Sequence, residues 1–217
     1  MEKLKRKQRQ GFASFGDMEI SVPEGIIIAS FFPEAEERTI KEIQEIVEYS
    51  YERVNSALKS LTEKKIIIEK QKGKTLVYSL DLKNLYAESM GFNAYMLQRE
   101  IDFIKKHKLI YNSIKKVVES PYVWGVILFG SYSKGTETKK SDVDLICISN
   151  KQKETEHLVK SLKYECNVEF SPIVLPLHEF PNIKKDNPVL WNDLKMYAIV
   201  FKGDDTFYYW MYQYEKN

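Results

Sequence analysis

Cysteine, histidine and long apolar runs are scarce in this chain. Its 217 residues include two cysteines, Cys147 and Cys166, and three histidines. Both cysteines sit in apolar surroundings and give no disulfide framework, so a reducing, cytoplasmic compartment is expected. His107, His157 and His178 are scattered without ligand spacing, which speaks against a zinc site. No apolar run approaches the roughly 20 residues that cross a bilayer, so no membrane partner is expected. The start, Met1-Glu2-Lys3-Leu4-Lys5-Arg6-Lys7, is basic. Neither an apolar core nor a small-residue cleavage site follows it, so no export signal is expected. There is no internal repeat and no low-complexity linker. A formal net charge of only +2 argues against loose binding of nucleic acid by the whole protein.

What is present is ordinary in amount and uneven in placement. The chain is 43% hydrophobic and 29% charged, as expected of a soluble globular protein. Its length suits one large domain or two small ones, each able to bury a core. Residues 1–10 hold five basic side chains against Glu2. Residues 17–52 hold ten acids against Arg38 and Lys41, and residues 53–80 hold seven basic side chains against Glu63 and Glu69. A polyanion could orient such a module; a solvated surface is the plainer account.

Residues 1–17 read as a basic arm. Residues 23–32 start a helix at Pro23, and Pro33 stops it. Thr39 caps a second helix reaching about Glu48, with Ile40, Ile43, Ile46 and Val47 on one face. Ser50 caps a third over residues 50–63, whose stripe is Val54, Ala57, Leu58 and Leu61. Ile66-Ile67-Ile68, a turn Gln71-Lys72-Gly73-Lys74 and Leu76-Val77-Tyr78 then read as a β-hairpin. Three helices and a hairpin resemble a winged helix-turn-helix, here over residues 18–84. The resemblance implies duplex DNA as a partner, with the third helix in the major groove and the hairpin as wing. Tyr51, Arg53, Asn55, Ser56 and Lys59 are then the candidates for DNA contact, with Lys72 and Lys74 on the backbone. The same module could instead pack on a protein partner. Residues 85–119 are a connecting segment, helical over 92–119. Its stripe of Phe92, Tyr95, Met96, Phe103, Ile110, Ile114, Val117 and Val118 suits packing on both halves or the seam of a homodimer.

The chemistry lies in residues 120–217. The apolar run 126–129 ends at Gly130-Ser131, a buried strand feeding a tight turn. Gly130 lets the backbone approach a ligand. Ser131 offers a hydroxyl where a following helix would present free N–H groups to phosphate oxygens. Gly135 allows a second turn. A second strand begins with Asp142 and Asp144, two carboxylates on one face. Side by side they are unfavourable unless a cation joins them, and magnesium does so while keeping sites for phosphates.

The ordered set Gly130, Ser131, Gly135, Ser141, Asp142, Asp144 and Leu145 resembles the signature of the DNA polymerase beta superfamily, in its minimal nucleotidyltransferase type. Chains joining a winged helix to such a domain are familiar from archaea, and this sequence looks like one. The resemblance implies an α+β protein whose C-terminal α/β domain holds a small mixed sheet. It implies a third acid on a later strand, and Glu169 within residues 167–174 matches it, with Val168 and Phe170 facing the other way. It implies two magnesium ions held by Asp142, Asp144 and Glu169, and ATP or another nucleoside triphosphate held by Gly130, Ser131, Gly135 and Ser141. The activity it implies is transfer of a nucleoside monophosphate to a hydroxyl, on a protein, a small molecule or an RNA end. Two other readings stay open: a DNA-binding regulator that only senses nucleotide, and an antitoxin-like protein with a toxin partner. Lys134, Lys139 and Lys140 suit phosphates or a solvated turn. Residues 187–191 and 198–203 read as a closing helix and strand. The aromatic tail 207–214 suits base stacking or, more often, burial.

Overall fold

The computed structural model describes residues 19–213. Helix α1 (Val22–Ala29) starts on Ser21, whose backbone N–H and hydroxyl both donate to Glu24 Oε2 at 2.7 Å. Helix α2 (Ile40–Val47) starts on Thr39, which exchanges hydrogen bonds with Glu42 in the same way. Helix α3 (Tyr51–Glu63) starts on Ser50, whose hydroxyl accepts from the Arg53 N–H. A first turn leaves N–H groups without helical partners, and these side chains engage some of them. Val54, Ala57, Leu58 and Leu61 of α3 are buried. Strands β1 (Ile67–Lys72) and β2 (Thr75–Leu80) pair antiparallel with Lys72 opposite Thr75. The reversal therefore falls on Gly73 and Lys74 alone, and Gln71 and Lys72 belong to the strand. Helix α1 is also shorter than its pattern: it ends at Ala29, and the chain bends through residues 30–35. The basic arm 1–17 and Tyr214 lie outside the described residues.

A π-helical turn (Ala87–Phe92) leads into α4 (Asn93–Val118). The sequence predicts one continuous helix here, but α4 is broken at His107 (φ −131°, ψ 44°). Before the break, Met96 joins the core of the first three helices. Phe103 and, after the break, Ile110, Ile114 and Val117 pack on the C-terminal sheet. The change of partner therefore falls between Met96 and Phe103, ahead of the break. Gly91 permits the close crossing below it, since a Cβ there would stand 2.4 Å from Ile28 Cγ2.

Strands β3 (Val123–Phe129), β4 (Val143–Ser149), β5 (Phe170–Leu175) and β6 (Ile199–Lys202) form a mixed sheet in the order β5-β4-β3-β6. β3 runs antiparallel to β4 and β6, and β4 parallel to β5. Between them lie α5 (Gly130–Lys134), α6 (Gln152–Ser161), α7 (Lys163–Cys166), α8 (Ile183–Asp186) and α9 (Pro188–Tyr197); α10 (Asp204–Tyr208) follows β6. Alternation sorts the two faces. Val143, Leu145 and Cys147 share a core with α4 and α6, whereas Ile146 and Ile148 share one with Phe180, Trp191 and Leu194.

That second core does not end at the sheet. It is continuous with Ile27, Phe31, Leu58 and Phe92. The aromatic tail makes the join: Phe207, Tyr208, Trp210, Met211 and Tyr212 are buried. The Tyr208 hydroxyl donates to Leu82 O at 2.8 Å and the Tyr212 hydroxyl to Pro33 O at 2.9 Å. Buried phenols need such partners, and these rings are not exposed to stack on bases. Among the described residues, no helix is long and apolar enough to cross a membrane.

Candidate functional site

The site is built at the end of β3. Gly130 follows Phe129 directly and has φ +72°, in the left-handed region. Phe129 and Asp144 are cross-strand partners, so the Asp144 side chain leans over the turn. A Cβ at position 130 would stand 2.1 Å from Asp144 Oδ2. Any other residue there meets both backbone strain and a carboxylate. Ser131 is half-buried at the start of α5. Within α5 the Ser133 hydroxyl donates to Gly130 O at 3.0 Å, and Gly135, also left-handed, ends the helix. The Ser141 hydroxyl accepts from Thr138 N–H at 2.9 Å and so holds the loop that leads to the acids.

Asp142 immediately precedes β4 and Asp144 lies two residues on, which puts both on the face of Ile146. Asp142 is exposed and Asp144 half-buried. Burial first, and the neighbouring Asp142 second, push the Asp144 carboxyl above its ordinary range. The pairing of β5 sets Ser171 opposite Asp144, and Ser171 Oγ donates to Asp142 Oδ2 at 3.1 Å. Ser171 escaped the sequence reading; its signal is its place two residues after Glu169, on the same side of the strand.

Glu169 stands just before β5, and its carbonyl accepts from Val143 N–H at 2.8 Å. Its backbone is therefore beside the start of β4. Val168 is half-buried and Phe170 buried, while the Glu169 side chain is exposed and reaches Lys163 Nζ at 3.2 Å. So Asp142, Asp144 and Ser171 come together, and the Glu169 carboxylate rests on Lys163. Among the described residues, no three His, Cys, Asp or Glu side chains gather closely enough to hold a metal ion. Two carboxylates and a hydroxyl do suit magnesium, which completes its shell with waters and substrate phosphates. Lys134 pairs with Asp193 at 2.6 Å, and Lys139 and Lys140 are exposed.

The candidate DNA face is mixed. Tyr51, Ser56 and Lys59 are exposed and Asn55 is half-buried. Arg53 lies 3.9 Å over the Tyr49 ring. Lys72 Nζ is 2.5 Å from Glu37 Oε2, and Lys70 is 3.2 Å from Glu37 Oε1. Those two lysines hold the Glu37 carboxyl below its usual range, so part of the hairpin's charge is already matched. Lys74 is exposed at the turn.

Comparison with known proteins finds a family model within the second half of the chain. Residues 110–199 match the family model described as "Nucleotidyltransferase domain". An alignment of 88 residues that covers 37% of the chain gives 31% identity to a protein of Methanocaldococcus jannaschii provisionally named a protein adenylyltransferase. The match takes in 59% of that protein's length. One solved structure, a toxin-antitoxin crystallised with AMP-PNP, aligns at a TM-score of 0.34 and 22% identity, over 48% of this chain and 88% of its own. The chain thus carries a nucleotidyltransferase-type domain, matched over residues 110–199.

Proposed function

We propose that the chain transfers a nucleoside monophosphate from ATP or another nucleoside triphosphate to a hydroxyl acceptor. The observation that carries this is the seating of the Asp144 carboxylate against Gly130, with Asp142 beside it. A triphosphate at the Gly130-Ser131 turn would place its phosphates within reach of both acids. Asp142 and Asp144 would hold magnesium, with Glu169 as third acid once its side chain leaves Lys163. When bound, the metal neutralises phosphate charge and lowers the pKa of the attacking hydroxyl. The chain's own groups do the rest. Gly130 and Ser131 position the α-phosphate, Ser171 orients Asp142, and Glu169 accepts the proton of the acceptor oxygen. That oxygen bonds to the α-phosphorus as the bond to the bridging oxygen breaks, and pyrophosphate leaves. The relative's name makes a protein hydroxyl the first acceptor to try.

The N-terminal half fits the same proposal as a winged helix, with α3 and the β1–β2 hairpin meeting duplex DNA through Tyr51, Arg53, Asn55, Ser56, Lys59, Lys72 and Lys74. One observation favours a second reading. The Glu169 carboxylate lies on Lys163, away from the aspartate pair, as it would in a domain that binds nucleotide without transferring it.

Incubation with magnesium and ATP labelled at the α- or the γ-phosphate separates these readings. Transfer of the α-label alone to protein or to an added acceptor is the expected result. Binding of a non-hydrolysable triphosphate with no transfer of either label favours the sensor. Transfer of the γ-label, or no nucleotide binding with magnesium present, overturns the proposal.

A further inference from the structure

Arg99 lies 31 positions before Gly130 in sequence and outside every motif, yet its guanidinium reaches the active-site segment. It projects from the first half of α4. Its Nη2 donates to Ser133 O at 3.0 Å and to Tyr197 O at 2.6 Å. Ser133 lies in the last turn of α5 and Tyr197 is the last residue of α9. The last carbonyls of a helix have no helical partner and carry its negative end. One cation therefore caps two helices at once. Its Nη1 is 3.4 Å from the Tyr95 hydroxyl, while its Nε is buried without a partner. A buried donor left unsatisfied costs stability, so the guanidinium is placed for the two carbonyls and not for every donor.

The contact continues to the acids. Ser133, whose carbonyl Arg99 holds, donates its hydroxyl to Gly130 O at 3.0 Å, and Gly130 abuts the Asp144 carboxylate. A five-residue helix has almost no stability of its own. α5 must be set by its neighbours, and the polar ties are Arg99 from α4 and Asp193 of α9, which pairs with Lys134. A second tie from α4 lies just beyond: His107 Nε2 is 3.2 Å from Glu137 Oε1 in the loop before Asp142. The first half of α4 also packs on the N-terminal helices through Met96.

We propose that Arg99 is a positioning residue for the Gly130-Ser131 turn: by capping α5 and α9 together it fixes the turn against Asp144. Its effect on the turn runs through Ser133, whose hydroxyl holds Gly130 O. This rests on the proposed transfer activity. The test compares the wild-type chain with Arg99→Met, Arg99→Lys and the control Lys108→Met, an exposed lysine of α4. The readings are kcat, KM for ATP, the magnesium concentration giving half activity, and Tm.

Arg99→Met is expected to lower kcat at least tenfold and to raise the magnesium requirement severalfold. Arg99→Lys, which keeps the charge on a shorter side chain without the planar guanidinium, should fall between, and Lys108→Met should match the wild type. A merely structural arginine would lower Tm and leave kcat and the magnesium requirement of the folded fraction alone; that outcome overturns the proposal. Should Arg99→Met fail to fold, an Arg99→Lys protein with wild-type kcat overturns it equally. A wild type that transfers no label defeats the transfer reading and not this one. The positioning claim is then read from binding of a fluorescent triphosphate with magnesium, where Arg99→Lys must weaken affinity at least threefold. Equal affinity, or no wild-type binding, overturns it.

Discussion

The helical region 22–80 and the sheet region 123–202 differ in how each treats a carboxylate drawn out of solvent, Glu24 in the first and Asp144 in the second. Each region pairs some of its charges: Glu24 with Lys64, Glu37 with Lys70 and Lys72, and Arg38 with Glu34 in the first, and Lys134 with Asp193 and Lys163 with Glu169 in the second. Burial works against the Glu24 charge, but Lys64 and the Ser21 donors outweigh it and hold the carboxyl at about 2. In the second region, Asp142 and Asp144 stand together with one hydroxyl between them and no cationic side chain, and Asp144 is pushed upward. Compensated charge is what stability alone selects. An uncompensated like-charge pair on a rigid strand is unfavourable by itself, and that is why it marks a site.

The largest expected effect sharpens this contrast. Asp142→Asn or Asp144→Asn keeps shape and removes charge. Each should lower transfer at least about a thousandfold, the scale of several kcal/mol of lost transition-state stabilisation, with circular dichroism unchanged. Glu169→Gln should leave triphosphate binding in titration calorimetry and stop transfer; a fully active Glu169→Gln protein would show that Glu169 is not the third acid.

The next tests whether the two regions are separate at all. Phe92 is fully buried, with its ring 5.3 Å from Tyr208 and 5.7 Å from Tyr212. Phe92→Ala should cost about 3–5 kcal/mol. Because the core is continuous, near-ultraviolet and far-ultraviolet melting curves should shift down together. Two resolved transitions would mean that the regions unfold independently.

A smaller effect sets Glu24 of the first region against Asp204, just past the end of the second, by pH. Burial, then Glu100, raise the Asp204 carboxyl to about 6, against about 3.9 in an unfolded chain. A raised carboxyl favours the fold while protonated, so its contribution is present below about 4 and lost as pH rises through 6. Asp204→Asn should therefore match the wild-type Tm at pH 4 and exceed it at pH 8. Glu24, with a lowered value, runs the other way: its contribution is present above the ordinary Glu value near 4.3 and is lost as pH falls toward 2. The smallest effect concerns duplex DNA. Lys72→Gln with Lys74→Gln should weaken binding alike for all sequences and reduce the salt slope by at most about 2, and by nearer 1 if Glu37 already neutralises Lys72. A wild type not retained on DNA at low salt makes the first region a protein-interaction module.

Local signals explain how much could be read in advance. The caps Thr39 and Ser50, and Pro23 in a first turn, act within one turn, so the helix starts were legible, though the part of Ser21 was not read. The strand carrying Asp142 and Asp144 was legible because alternation needs only neighbours. The break at His107 was not, since the α4 stripe continues past it. Nor were Ser171 on Asp142, Lys163 on Glu169 or Arg99 on Ser133, whose bonds cross 29, 6 and 34 positions.

By itself the sequence determined the starts of the first three helices, the hairpin, the strands β3 and β4 and the face on which the acidic pair stands, because caps, periodicity and glycine turns are properties of adjacent residues. Only the tertiary structure decided what meets the pair. It brought Gly130 under Asp144, turned Glu169 to Lys163 and tied α5 to α4 through Arg99. It also drew the aromatic tail into the N-terminal core. Those outcomes depend on strand register and on which helix ends converge, and neither is encoded in any one stretch of the chain.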